Sequence, residues 1–169
     1  MARVPDISDS TILRFLDRGI MGITVPHITD GRKAKQLARA ARDTLLGNRS
    51  FGSGRGGYYG NFPSGQAYME HFNSNIIVIA QLEDVEVLEN ITDILSVEGI
   101  DLFASGPQDI AQSMGLPGQP NHPKVQEFED TVRDLVHKAG KKMVDDVMSS
   151  TRATTLFLEG AKTYLESEK

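Results

Sequence analysis

IIVIAQLED, residues 76–84, reads as a buried strand that ends on a carboxylate. Ile76 to Ala80 form an unbroken apolar run, the pattern of a strand covered on both faces in a parallel sheet. Gln81, Leu82 and Glu83 follow, so an acid stands where the strand leaves its sheet. On either side the period becomes helical. QAYMEHFN, 66–73, predicts a short helix leading in, and Val85, Leu88, Ile91 and Leu95 mark one face of an amphipathic helix leading out. IDLFA, 100–104, is the next strand.

The same alternation extends to both ends of the chain. SDSTILRFLDR, 8–18, places Ile12, Phe15 and Leu16 at helical spacing, with Ser8 or Ser10 as N-cap and Gly19 beyond the end. GITVPHI, 22–28, is a strand whose Pro26 suits its end rather than its centre. DGRKAKQLARAARDTL, 30–45, is a helix with Ala34, Leu37, Ala38, Ala41 and Leu45 on one face and its basic residues on a solvated one. VQEFEDTVRDLVHKAG, 125–140, places Val125, Phe128, Val132 and Leu135 together on a further helix. Residues 141–147, 151–160 and 161–167 then read as strand, helix and weak strand. Strands alternating with helices at this spacing give βα units and a parallel sheet in one domain spanning 1–169.

Composition narrows the partners. A formal charge of −5 disfavours nonspecific binding to nucleic acid or anionic membrane, which leaves small molecules and proteins. Without cysteine there is no disulfide framework and no thiolate nucleophile, so any metal ligand is oxygen or imidazole. No apolar stretch approaches 18 residues and no leader pattern opens the chain, so a cytoplasmic protein is the expectation. Residues 47–65, GNRSFGSGRGGYYGNFPSG, hold seven glycines without periodicity and form a long loop, the kind that is often functional. Gly52, Gly54 and Gly57 echo a dinucleotide-binding turn, but no strong strand precedes them and no helix opens from them. One arginine within GSGRGGYYG, 52–60, is a weak RNA signal.

Two successive strands end alike. IIVIAQLE finishes on Glu83, and IDLFASGPQD runs through Gly106 and Pro107 to Asp109, 26 residues later (109 − 83). Either acid alone is well placed to cap the helix that follows it. At the ends of consecutive strands of a parallel barrel, however, both converge on one rim, where a hard divalent cation would neutralise them. Asp145 and Asp146 are also paired in sequence, yet adjacent strand residues point to opposite faces, so they do not suit one ion.

These elements resemble the HpcH/HpaI family of metal-dependent pyruvate aldolases, TIM barrels of the phosphoenolpyruvate and pyruvate superfamily. The landmarks are RVP at 3–5, ILRFLDRG at 12–19, ITVPHI at 23–28, GNRSFGSG at 47–54, AQLE at 80–83, VEGIDLFASGPQDIAQSMG at 97–115 and NHPKVQ at 121–126. The resemblance implies a parallel (β/α) barrel of TIM type, incomplete here because the first two βα units have no counterpart in a fold of about 250 residues. It further implies Glu83 and Asp109 as ligands of Mg²⁺ or Mn²⁺, Arg3 at the pyruvate ketone oxygen and Gln81 beside the metal. Gly106, Gln108 and Asp109 would hold the pyruvate carboxylate through backbone N–H groups. Asp17 matches an aspartate that partners a proton-transfer histidine, and that histidine lies in the part with no counterpart. Of the four histidines present, His27 follows a strand end near the expected mouth; His71, His122 and His137 read as structural or exposed.

The expected function is therefore a divalent-metal-dependent aldolase, a lyase forming or cleaving 4-hydroxy-2-oxo acids from pyruvate and an aldehyde, with the glycine-rich loop lining the aldehyde side. Two alternatives stand beside it: an enzyme of the citrate-lyase β-subunit and malyl-CoA lyase type, and a non-catalytic barrel fragment or assembly module. The unclosed sheet would leave exposed edges, which favours a homo-oligomer.

Overall fold

The computed structural model describes residues 1–167. Its centre is a four-stranded, fully parallel sheet: β1 Ala2–Arg3, β2 Gly22–Val25, β3 Ile77–Gln81 and β4 Leu102–Ala104, in the order β1-β2-β3-β4. Strand order equals chain order, so right-handed crossovers carry each connecting helix to the same face, as in consecutive units of a (β/α) barrel. The connections are α1 Asp9–Asp17, α2 Gly31–Ala41, α3 Gly65–Asn75 and α4 Val87–Leu95; α5 Pro107–Ser113 and α6 Pro123–Lys138 follow β4. Ile23, Val25, Val78, Ala80 and Phe103 alternate onto the helix-covered face and join Ile12, Leu16, Leu37, Phe72, Ile91 and Val132 in the core. Arg3, Thr24, Ile79 and Leu102 pair in one register row and point the other way. The helices thus cover one face, not both as IIVIA suggests by itself.

Local chemistry accounts for the helix boundaries. Ser8, Asp30 and Ser64 cap α1, α2 and α3 through side chains that accept from the third residue onward. Helix α2 ends at Ala41, short of the expected Leu45, which is exposed with φ 82. The cause is Arg42, an exception to the solvated basic face. Its side chain is buried and donates to Gly99 O (3.0 Å), Asn73 O (2.8 Å), Ile76 O (3.0 Å) and the Asp101 carboxylate. Asp101 in turn accepts from Val78 N–H at 2.6 Å. One guanidinium therefore ties the end of α2 to the α3–β3 junction and to the entry of β4.

The C-terminal part departs from expectation. In residues 141–147 the sheet continues only as a single parallel bridge between Phe103 and Met143, with Phe103 N–H donating to Lys142 O at 3.0 Å. Val144–Asp146 then turns as a 3₁₀ segment. The two acids explain the turn: Asp145 pairs with Arg133 at 2.6 Å, while Asp146 pairs with His137 at 2.8 Å and accepts from Met143 N–H at 2.6 Å. They fasten this segment to α6. Residues 161–167, expected as a weak strand, belong to a continuous helix, α7 Ala153–Ser167. Its Ala, Leu, Lys and Glu content favours helix over strand. Leu156, Phe157, Leu158, Tyr164 and Leu165 are all exposed on it.

Replacing Arg42 by Met is expected to strand three carbonyls, that of Ile76 buried and those of Asn73 and Gly99 partly so, and one carboxylate, destabilising the chain by about 3–5 kcal/mol. Arg42→Lys should recover only part of this, because an ammonium cannot span the same fork. Urea unfolding monitored by circular dichroism checks both.

Candidate functional site

In a parallel sheet every strand delivers its C-terminal end to one edge, and here that edge gathers the polar residues. Arg3 closes β1, His27 follows β2, Gln81 and Glu83 close β3, and Asp109 lies in the first turn of α5 just beyond β4. Glu83 is wholly buried. One oxygen, Oε1, accepts from His27 N–H at 3.2 Å and lies 3.6 Å from an Arg3 guanidinium nitrogen. The other, Oε2, is buried without a hydrogen-bond partner among the described residues, and so is Gln81 Oε1. The same guanidinium nitrogen of Arg3 stands 3.8 Å from Asp109 Oδ2. Arg3 thus bridges the two acids that the sequence pairs.

Gly106 is what lets the two strand ends close up. A Cβ on it would lie 2.3 Å from Glu83 Oε2 and 2.7 Å from Gln81 Nε2. Any side chain there would fill the space in front of the orphaned oxygen. Burial is the main force on Glu83 and pushes its carboxyl above the ordinary carboxylate range; Asp109 adds to the rise, while His27 and Arg3 oppose it. A buried acid with a free oxygen, a second acid across an arginine and a free amide oxygen form a set of hard oxygen donors.

His27 is drawn into the same rim. Its φ of 55 is left-handed, uncommon for a residue with a side chain. Its ring Nδ1 lies 3.0 Å from Asp84 Oδ2, and its carbonyl accepts from Lys33 Nζ at 3.0 Å. Asp84 was not anticipated as a partner, although its place directly after Glu83 at the strand exit is a signal of sorts. The remaining histidines do structural work: His122 caps α6, His137 holds Asp146, and His71 stacks among Tyr58, Phe62 and Phe72.

Asp17 does not join this group. It ends α1, and the chain passes through Gly19 straight into the start of β2, which places Asp17 at the opposite edge of the sheet. Strands of four to five residues separate the two edges by about 15 Å. Arg49 Nη2 donates to Asp17 Oδ1 at 3.0 Å, and the buried Arg49 guanidinium lies 4.6 Å over the Phe72 ring. The glycine-rich loop wraps this pair. Gly56 N–H donates to Asp17 O at 2.9 Å, and a Cβ on Gly56 would strike Leu16 O at 2.3 Å. Close backbone approach therefore explains these glycines. Within one chain the loop lines the far edge, so it cannot border the aldehyde side of this rim as expected.

The model of the HpcH/HpaI aldolase/citrate lyase family matches residues 1–167. A 4-hydroxy-2-oxovalerate aldolase of Rhodococcus jostii (strain RHA1) is 33% identical over 139 residues, covering 82% of this chain and 53% of that protein. A 2-keto-3-deoxy-L-rhamnonate aldolase of Shigella sonnei (strain Ss046) is 33% identical over 136 residues, 79% of this chain and 50% of that protein. The chain thus spans about half the length of these relatives. The crystal structure of an HpcH/HpaI aldolase from Desulfitobacterium hafniense DCB-2 superposes with a TM-score of 0.74 at 28% identity, covering 94% of this chain and 60% of that one. The parallel sheet is accordingly part of the barrel of such proteins, and with matching sequence and fold the chain belongs to the HpcH/HpaI aldolase/citrate lyase family.

Proposed function

We propose that the rim built by Arg3, Gln81, Glu83, Gly106 and Asp109 is the pyruvate-handling half of a divalent-metal-dependent aldolase that forms or cleaves 4-hydroxy-2-oxo acids. The observation that carries this reading is the orphaned Oε2 of a fully buried Glu83, facing a gap that only glycine at 106 leaves open. Glu83 and Asp109, with Gln81 beside them, would hold Mg²⁺ or Mn²⁺. When bound, such a cation supplies Lewis acidity toward a 2-oxo acid. Arg3, 3.6 Å from Glu83 and 3.8 Å from Asp109, places positive charge where the ketone oxygen becomes anionic as a methyl proton leaves. Gly106 is the N-cap of α5 and Gln108 and Asp109 stand in its first turn, where N–H groups have no partner within the helix and would be available to a carboxylate. Asp17 acts, on this reading, only if another chain's rim is brought to its edge of the sheet. The non-catalytic alternative keeps the acids and lacks the proton transfer.

Deuterium exchange at the pyruvate methyl group, followed by NMR in D₂O with Mg²⁺ or Mn²⁺, is expected to depend on the cation and to fall at least about a hundredfold in Glu83→Ala. Binding of pyruvate and cation without exchange would establish the non-catalytic reading instead.

Stability should move in the opposite direction. Because Glu83 carries a raised carboxyl, the folded chain holds this proton more tightly than the unfolded chain does. The stability it contributes is present at low pH and is lost as pH rises from the ordinary carboxylate range through the raised folded value. A permanently neutral Glu83→Gln should therefore match the metal-free parent in acid and exceed it at neutral pH, read as urea midpoints across that range.

The unpacked apolar residues of α7 support self-association of the chain. Sedimentation velocity is expected to show a species larger than a monomer. Phe157→Glu with Leu165→Glu should shift it toward the monomer.

A further inference from the structure

Helix α7 carries its apolar residues as a stripe. At 3.6 residues per turn, Thr154, Phe157, Leu158, Ala161, Tyr164 and Leu165 fall within a sector of about 120°, the pattern of a helix that lays one face on a partner. Phe157, Tyr164 and Leu165 are 75%, 64% and 64% exposed, so this face is uncovered within the chain. Lys162 and Glu166 follow one flank of the stripe, and Leu156 lies on the other.

A surface of matching shape lies elsewhere on the same chain. Helices α4 and α6 run side by side in the outer layer, both descending from the strand exits, and two apolar depressions stand in line between them. The upper, of about 570 Å³, is lined by Leu88, Met114 and Phe128, with exposed Val85 and Thr131 at its border. The lower, of about 370 Å³, is lined by Ile91, Leu95 and Leu135 and ends at Lys138. Together they follow α6 from Lys124 to Lys138, about 21 Å at 1.5 Å per residue, and α7 is about 22 Å long.

The geometry points to this groove as the seat of α7 from a second copy of the chain. The assignment does not depend on the aldolase chemistry, and it goes beyond self-association by naming the surface that receives the helix. Charge fixes the direction. With the stripe facing down and α7 parallel to α6, the flank bearing Lys162 and Glu166 lies over α6, whose Asp134 and Lys138 have the same four-residue spacing and the opposite signs. In that register Leu158 and Ala161 bracket Thr131, Tyr164 and Leu165 descend past Leu135, and Leu156 meets Val85. The antiparallel direction turns Lys162 and Glu166 away from α6. Helix-in-groove docking of this kind draws its stability from the apolar row and its register from the flanking charges. Exchanged reciprocally between two copies, the contact occurs twice and buries on the order of 1,500 Å², the size of a stable interface.

The test uses the full chain and two kinds of substitution. Lys138→Glu and Glu166→Lys are each expected to raise the dissociation constant of the dimer about tenfold by sedimentation, since each reversed pair occurs twice; combined in one chain they should restore it. The chain has no cysteine, so engineered thiols report contacts without background. Thr131→Cys mixed with Leu158→Cys should give disulfide-linked dimers on mild oxidation, and neither variant alone should do so. Cross-linking of Leu158→Cys with itself would instead mean that α7 packs on α7. That outcome overturns the assignment, as does a monomeric parent, a charge reversal that its counterpart does not restore, or a mixture no more cross-linked than its components. Dissociation by Phe157→Glu with Leu165→Glu, unaccompanied by any effect of Lys138→Glu, would keep α7 as an association helix and exclude this groove as its seat.

Discussion

The parallel pairing of β3 between β2 and β4 is the constraint on which the rim depends. Ala80 pairs with Val25 and with Phe103, so the three strands end level. Beyond the last pairs the ladder continues in single bonds: Ile28 N–H donates to Gln81 O at 3.2 Å and Leu82 N–H to Ala104 O at 2.8 Å. Those bonds carry His27 to one side of Glu83 and Gly106 to the other. A slip of one residue in β3 would turn Glu83 to the opposite face and bring Val78 and Ala80 out of the core. Apolar burial along IIVIA therefore aims a carboxylate that has no apolar role of its own.

Two buried charges near this sheet show how differently a fold can treat them. Arg42 has its guanidinium engaged by three carbonyls and a carboxylate, and its role is to fasten α2, α3 and β4 together. Glu83 is equally buried but keeps one oxygen unpartnered, and its proton affinity rises accordingly. A buried charge that is fully hydrogen-bonded secures structure, whereas an under-satisfied one marks a place where a ligand completes the set. Arg49 lies between these cases. It bonds Asp17 and stacks on Phe72, yet its Nε and Nη1 have no hydrogen-bond partner among the described residues, Nη1 standing 4.0 Å from Asp43 Oδ2. Its surroundings push the buried Asp43 carboxyl upward, burial outweighing the opposing pull of Arg49 itself.

Much of this architecture was legible in the chain. Helical spacing located α1 to α4 and α6, because an apolar stripe repeats within a few residues of chain. The strand-end acids Glu83 and Asp109 were legible as a pair for a similar reason, since equivalent positions in successive βα units fall on one edge. Where the reading failed, the deciding partner was distant in sequence. Arg42 looked like one more solvated base until Asn73, Ile76, Gly99 and Asp101 closed around it. Asp145 and Asp146 looked strand-like because the ties that turn them, to Arg133 and His137, come from α6. The glycine-rich loop looked like a border of the mouth, and only its packing on Leu16 and Asp17 puts it at the far edge.

By itself, then, the sequence determined the alternation of strands and helices and the edge on which its acids emerge, because these follow from local periodicity and chain order, while the family rested on the resemblance of its motifs. Only the tertiary structure decided that Glu83 is buried with a free oxygen, that Arg3 spans it and Asp109, that His27 is twisted into a left-handed turn against Asp84, and that Asp17 stands apart. These outcomes depend on distances between residues tens of positions apart, which the register of a parallel sheet sets and no local pattern encodes.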